Sequence, residues 1–308
     1  MRLAIPATVA VERPRPSWQG SLANFIPRLV VAPTFLGMLV FIYGYVIWTG
    51  VLSLTDSRFL PTYNFVGFVQ YEKLFENERW LVACTNLAVF GGLFILISLV
   101  IGVVLAIFLD QRIRQEGALR TIYLYPMALS FIVTGTAWRW MLDPGLGLEK
   151  LMHDMGFTSF SFDWIVDPEM AIYTLVIAAV WQSSGFVMAL FLAGLRGVDN
   201  SIVQAAQIDG APITKIYVRI ILPALRPVFF SAIVILAHIA IKSFDLIMAM
   251  TAGGPGYATD MPATFMYAHS FTRSQIGLGS ASAMLMLAGV LAILVPYLYS
   301  ELRKRDHD

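Results

Sequence analysis

Six long apolar runs constrain this chain more than any other feature. They cover roughly residues 29–54, 82–109, 119–141, 170–195, 226–250 and 276–299. Each is long enough to cross a hydrocarbon core, which takes about 20 apolar residues in a helix. The runs contain Pro33, Pro126, Gly185 and Pro296, which a membrane bundle tolerates because neighbouring helices satisfy the freed backbone groups. A β-barrel would instead show alternating strands of about ten residues. Composition agrees: 58% of the 308 residues are hydrophobic and 13% charged, where a soluble domain carries about 25% charged residues. Such a chain cannot clothe itself in polar surface, which excludes a soluble enzyme. A net charge of +1 with no basic domain excludes a nucleic-acid partner. One cysteine, Cys84, permits neither an intramolecular disulfide nor a cysteine metal cluster, and the four histidines show no ligand spacing. The expectation is an all-α integral membrane protein with six transmembrane helices and no metal site, its partner being membrane lipid.

The connections are short. Residues 1–28 read as an N-terminal tail, 29–299 as one six-helix transmembrane domain, and 300–308 as a C-terminal tail. The early LAIPATVAV stretch is too short for a span and runs into Glu12, Arg13 and Arg15, so it reads as an uncleaved tail. Fourteen of the 21 Lys and Arg residues fall in the two tails, around 112–120 and between 196 and 226, against five in the opposite loops. The positive-inside rule then makes both termini cytoplasmic. The loop between the third and fourth runs carries Asp143, Glu149, Asp154, Asp163, Asp167 and Glu169, as an external loop would.

The segment 196–226 is too long for a simple connector. Asp199 or Ser201 can cap a helix start. Ile202, Val203, Ala205 and Ala206 share a helical face, and Gly210 sits where a left-handed residue would end that helix. Pro212 fits the first turn of a second helix, in which Ile213, Ile216, Tyr217 and Ile220 recur at helical spacing. This cytoplasmic helix–turn–helix reads either as an interfacial amphipathic helix or as a docking surface.

Polar groups inside the runs form two clusters. Lys242 and Asp245 are three residues apart, hence on one face of a continuous helix, and each is expensive in lipid. They read as an ion pair or as the lining of a wet path. Trp181, Gln182, Ser183 and Ser184 lie well inside the fourth run. Small polar residues there often join helices. A flat aromatic beside amide and hydroxyl groups is also what an uncharged sugar requires.

Gln204-Ala205-Ala206-Gln-Ile-Asp209-Gly210-Ala211, then Tyr217, Ile220 and Leu222-Pro223, resembles the "EAA" loop of ABC importer permeases, with Gln204 where that pattern carries Glu. Further matches span most of the chain: Arg120 to Pro126, Trp138-Arg-Trp140, Asp143-Pro-Gly145, Trp181, Ala193-Gly-Leu195, Lys242-Ser-Phe-Asp245, Met250 to Pro255 and Gly277 to Ala281. Together they resemble the maltose-type carbohydrate-uptake permeases. The resemblance implies the type I ABC importer permease fold in a bacterial cytoplasmic (inner) membrane. It implies a second homologous permease, two ATPase subunits docked on Gln204, Ala205, Ala206, Asp209, Gly210 and Ala211, and an extracytoplasmic sugar-binding protein touching Gly253, Gly254 and Pro255. By register it puts sugar at Gln182, Ser183, Phe186 and Ser243, lined by Ile239 and Ala240, with Trp181, Lys242 and Asp245 beside the path. The implied cargo is of the glucose, mannose or α-glucoside type, with glycerol phosphate as the alternative. No G-x-x-x-x-G-K-[ST] stretch occurs, so ATP and Mg belong on the partner subunits, no cofactor is expected here, and the chain reads as a translocation subunit. A secondary transporter is the competing class. It tends to show matched internal repeats, which are not visible.

Overall fold

The computed structural model describes residues 17–111 and 115–305. The first 16 residues, Arg112 and Arg114, and the last three residues lie outside the described part, and with them part of the charge used to orient the chain. Two compact units separate, at Val51 and Leu52.

The first unit is a helix, α1 (Ser17–Met38), a π-helical stretch Leu39–Tyr43, and most of α2 (Gly44–Ser53). The helix begins inside the segment expected to be a tail. No residue from 28 to 51 is buried, and Phe35, Phe41, Tyr45 and Ile47 are exposed. A helix that is apolar all round suits hydrocarbon or another subunit.

Among the described residues the regular structure of the second unit is helical, apart from one isolated bridge, Thr55 to Phe65. In order it contains α3 (Val69–Phe75), α4 (Glu78–Asp110), α5 (Glu116–Leu124), α6 (Phe131–Leu142), α7 (Leu148–Asp154), α8 (Ala171–Arg196), α9 (Asn200–Ile208), α10 (Ile213–Ile216), α11 (Leu222–Ala224), α12 (Arg226–Ile241), α13 (Phe244–Met250), α14 (Pro262–Tyr267) and α15 (Ile276–Arg305). Four of the expected spans are single helices over 28–53, 78–110, 171–196 and 276–299. α15 continues past the expected boundary at 299.

The other two are broken, which corrects the sequence expectation. The third run splits at Tyr125–Ala128, and its halves meet at 98°. In the fifth region the helix ending at Ala224 turns 63° into α12. α12 stops at Ile241, and α13 restarts at Phe244 after a turn at Lys242 and Ser243. Hydropathy sums over such a break because the two halves together stay apolar enough to cross a membrane. Pro126 at the 3-10 turn and Pro223 with Pro227 around the second bend remove the backbone donors that a straight helix needs.

α8 is the axis of the core, with two thirds of its apolar window buried. It packs along α4, where Gly102 lets Val187 seat directly on the backbone. Gly185 brings α8 against the carbonyl of Tyr123, a space no side chain could share. Small residues at crossings are the expected device where lipid supplies no hydrophobic drive between helices.

Candidate functional site

α8 and the broken third span meet at Gln182. Its amide Nε2 donates to the Leu129 carbonyl at 2.8 Å. That carbonyl lies between the 3-10 turn and α6, so the side chain supplies a partner that the interrupted helix lacks. Gln182 is 3% exposed, and its Oε1 has no hydrogen-bond partner among the described residues, a costly arrangement for a buried acceptor. Ser183 and Ser184 are also buried, and Phe186 is half-buried against the main core. The side of α8 that stays open runs through Tyr173, Ile177 and Trp181, spaced four apart and each 37–41% exposed. Trp181 meets Trp138 of α6 edge-on, with 5.9 Å between ring centroids. The expected sugar residues therefore divide: Trp181 faces out of this chain, whereas Gln182 and Ser183 face in. Tyr173 and Ile177 were missed, although their four-residue spacing from Trp181 is legible in the sequence.

On the fifth span Lys242 and Asp245, which the sequence allows as an ion pair or as the lining of a wet path, form no ion pair among the described residues. The ion pairs among the described residues are Arg79–Asp260, Lys150–Asp154 and Arg196–Glu116. The break puts Lys242 at the end of α12 and Asp245 in the first turn of α13, which removes the shared helix face. Both are exposed. Ser243 is buried and donates its Oγ hydrogen to the Ala240 carbonyl at 2.7 Å; Ala240 is buried too, and Ile239 is half-buried. No hydrogen bond, ring contact or ion pair joins 181–186 to 239–245 among the described residues. α13 packs instead on α6, where Gly135 approaches the Leu246 carbonyl and Ala249.

At one end of the bundle, α9 is a short helix with defined stops. The Asp199 carboxylate accepts from the Ser201 amide at 2.8 Å; that hydrogen bond holds its pKa below the usual carboxylate value. At the other stop Gly210 takes φ +74°. The Gly210 amide donates to Gln207 and the Ala211 amide to Ala206, both at 3.0 Å, which is a Schellman closure. Pro212 precedes α10 as its extended N-cap residue rather than entering its first turn. Val203, Ala206, Ala211, Tyr217 and Ile220 rest on the main core and Ile216 is buried in it. Gln204, Ala205, Asp209 and Gly210 are exposed, as are Ile202 at 51%, Ile208 at 86% and Ile213 at 54%. Ile208, apolar and almost bare, was not singled out from the sequence.

At the opposite end the Gly-Gly-Pro loop is tied down. Gly253 is buried with φ +87° against the Asp260 carboxylate, and Gly254 and Pro255 are half-buried. Thr259 donates its hydroxyl to the Gly254 carbonyl at 2.7 Å and shares a hydrogen bond with Thr251. Asp260, 1% exposed, takes a two-pronged bond from Arg79, which also lies 4.6 Å over the Tyr257 ring. Asn86 of α4 donates to the carbonyls of Tyr257 and Asp260. A cavity of about 250 Å³ opens between this loop and Arg139, Asp143, Ile165 and Val166.

Residues 98–305 match the family described as "Binding-protein-dependent transport system inner membrane component". The chain belongs to this family. It is similar to a probable ABC transporter permease of Pyrococcus horikoshii, 38% identical over 273 residues covering 88% of this chain and 94% of that protein. It is also similar to the xylose/arabinose import permease of Haloferax volcanii, 34% identical over 297 residues covering 93% of each. Among solved structures it resembles a chain of a bacterial ABC transporter involved in the import of the acidic polysaccharide alginate, with a TM-score of 0.80 and 20% identity over 93% of this chain and 98% of that one. That likeness fixes the fold: a type I ABC importer permease. Members of the family are translocation components of the inner membrane, and the chain is an integral membrane permease.

Proposed function

We propose that the chain is one of two homologous permeases in an ATP-driven sugar importer. Two ATPase subunits carry ATP and Mg, and an external binding protein delivers the cargo. The observation that carries this reading is the exposed α9, stopped at both ends and showing Gln204, Ala205, Asp209, Gly210 and bare Ile208 to whatever covers it. Such a helix, resting on the core by Val203 and Ala206, can pass a push from an ATPase into α8 and α12. The α9 end, with both termini, faces the cytoplasm, and the Gly-Gly-Pro loop faces outward to the binding protein. The chain itself binds no cofactor.

The cargo proposed is a neutral sugar of the glucose, mannose or α-glucoside type. A phosphorylated substrate would call for several cations in the path, and Lys242 is the cation there. The path runs along the open stripe of α8 at Trp181, with Gln182, Ser183 and Phe186 behind it, and past Ser243, Lys242 and Asp245 at the break in the fifth span. Trp181 offers a flat face to sugar C–H surface, and the partner permease completes the cavity. Transport follows if the docked binding protein and ATP each favour a different state of the pair.

The test uses the purified complex. Gly210→Val forces a β-branched residue into a left-handed position, at a cost of about 1 kcal/mol or more, and sugar-stimulated ATPase activity should be lost while the complex still forms. Full stimulation in that variant would reject docking at this turn.

A further inference from the structure

A polar cavity of about 280 Å³ lies at the end of the bundle that carries the Gly-Gly-Pro loop, lined by Asp56, Arg58, Gln70, Lys73, Asn77 and Gln275 among others. Nothing in the transport reading uses it. Its depth is fixed: the Gly277 amide, in the first turn of α15, donates to the Ser57 carbonyl at 2.9 Å. Gln70 Nε2 holds the Thr55 carbonyl at 2.9 Å, and Asn77 caps α4. The cavity therefore sits at the level where the second and sixth spans begin, which is headgroup level. Directly after Arg58 the chain exposes Phe59, Leu60, Tyr63, Phe65 and Phe68, each 67–77% open. Bare aromatic side chains at span ends are the mark of a membrane interface.

We propose that this cavity holds the headgroup of a zwitterionic aminophospholipid, with the aromatic loop 59–68 resting among neighbouring lipids. Arg58 and Lys73 supply the cations for the phosphodiester. Asp56 Oδ1 accepts from Thr62 at 3.2 Å, and its other carboxylate oxygen, without a donor among the described residues, is left for the ammonium. Gln70, Asn77 and Gln275 meet the remaining polar atoms. Glu72, Glu76 and Glu78 in the same stretch disfavour a ligand of net negative charge. The charge pattern also separates headgroups: a choline headgroup cannot donate a hydrogen bond to Asp56, whereas an ethanolamine can.

The experiment extracts the full complex from membranes into detergent containing equimolar phosphatidylethanolamine and phosphatidylcholine, and counts the phospholipid that stays bound. Wild type should retain phosphatidylethanolamine over phosphatidylcholine. Asp56→Asn should abolish that preference while total phospholipid stays. Arg58→Gln with Lys73→Gln should cut total retention at least about fivefold, the effect expected of one basic residue at a lipid surface. All three positions are exposed, so the fold should survive, and basal ATPase activity serves as the check. Equal retention of both lipids by wild type, or unchanged retention in the double variant, would overturn the proposal. Displacement of bound lipid by millimolar inorganic phosphate would make this a free-anion site and overturn it also. Variants that keep the lipid but lose stimulation by the binding protein would assign the surface to protein docking instead.

Discussion

The two ends of the bundle carry segments of similar length and opposite construction. The loop from Thr251 to Met261 is self-supporting: an ion pair with a buried acid, a cation over a ring, two donations from Asn86 and a pair of threonine hydroxyls hold it against α4. α9 has none of this. Its side-chain hydrogen bond is the Asp199 cap, its turn closes through backbone alone, and its most apolar outward residue, Ile208, is open. The first segment is held in shape by contacts within the chain itself. The second is shaped at its ends and bare in between, which is how a surface looks when another subunit completes it.

The largest way to break this contrast is to remove the cation from the loop end. Arg79→Met leaves Asp260 buried and unpaired, which costs about 3–5 kcal/mol, so the melting temperature should fall by many degrees. Adding Asp260→Leu should restore much of the loss. A double variant as unstable as the single would mean the pair does not organise the loop. Asn86→Ala, which strips two carbonyls of a donor, should cost about 1–3 kcal/mol. Hydrogen exchange should then quicken at 257–260 and not at 204–211; equal quickening at both ends would contradict the separation. Ile208→Ser should leave the stability of the chain within about 0.5 kcal/mol of wild type, as exposed positions do, yet weaken retention of the ATPase subunits on purification.

Acidity should distinguish the ends most gently. His269 lies between α14 and α15, stacked on Phe265 and bonded through Nδ1 to Gln275. Burial pushes its pKa below the usual histidine value. The folded pKa therefore lies below the unfolded one, so this contribution to stability is present above about pH 6.5 and declines as pH falls through it. Asp199 works at the other end of the scale. Its pKa is lowered too, so its cap is present above about pH 3.9 and fails only below that. Between pH 7.5 and pH 5 the loop end should loosen and α9 should not, which exchange rates at 265–275 and 200–210 can compare.

Much of this was legible in the sequence because it depends on local chemistry. Six apolar runs, a cap at Asp199 or Ser201 and a left-handed Gly210 follow from hydropathy and backbone preference; four runs are single helices, Asp199 is the cap and Gly210 is left-handed. The breaks in the third and fifth spans were not legible, because a bend leaves hydropathy unchanged. The break at Lys242 and Ser243 also separates Lys242 from Asp245, which share a face only on an unbroken helix. Gln182 was visible as a polar residue in a span, but its bond to Leu129 depends on a crossing 53 residues away. The ties on the Gly-Gly-Pro loop were hidden for the same reason, since Arg79 and Asp260 are 181 residues apart.

Docking of α9 on the ATPase, as proposed, can be measured directly. In a Cys84→Ser background, Ala205→Cys provides a single thiol on the exposed side of α9. Labelling the free permease with a bulky maleimide and then adding ATPase subunits should prevent assembly and abolish sugar-stimulated ATP hydrolysis. In the assembled complex the same thiol should be shielded from the reagent. A thiol that labels equally fast in the free chain and in the complex, with stimulated hydrolysis unchanged after labelling, would contradict the account.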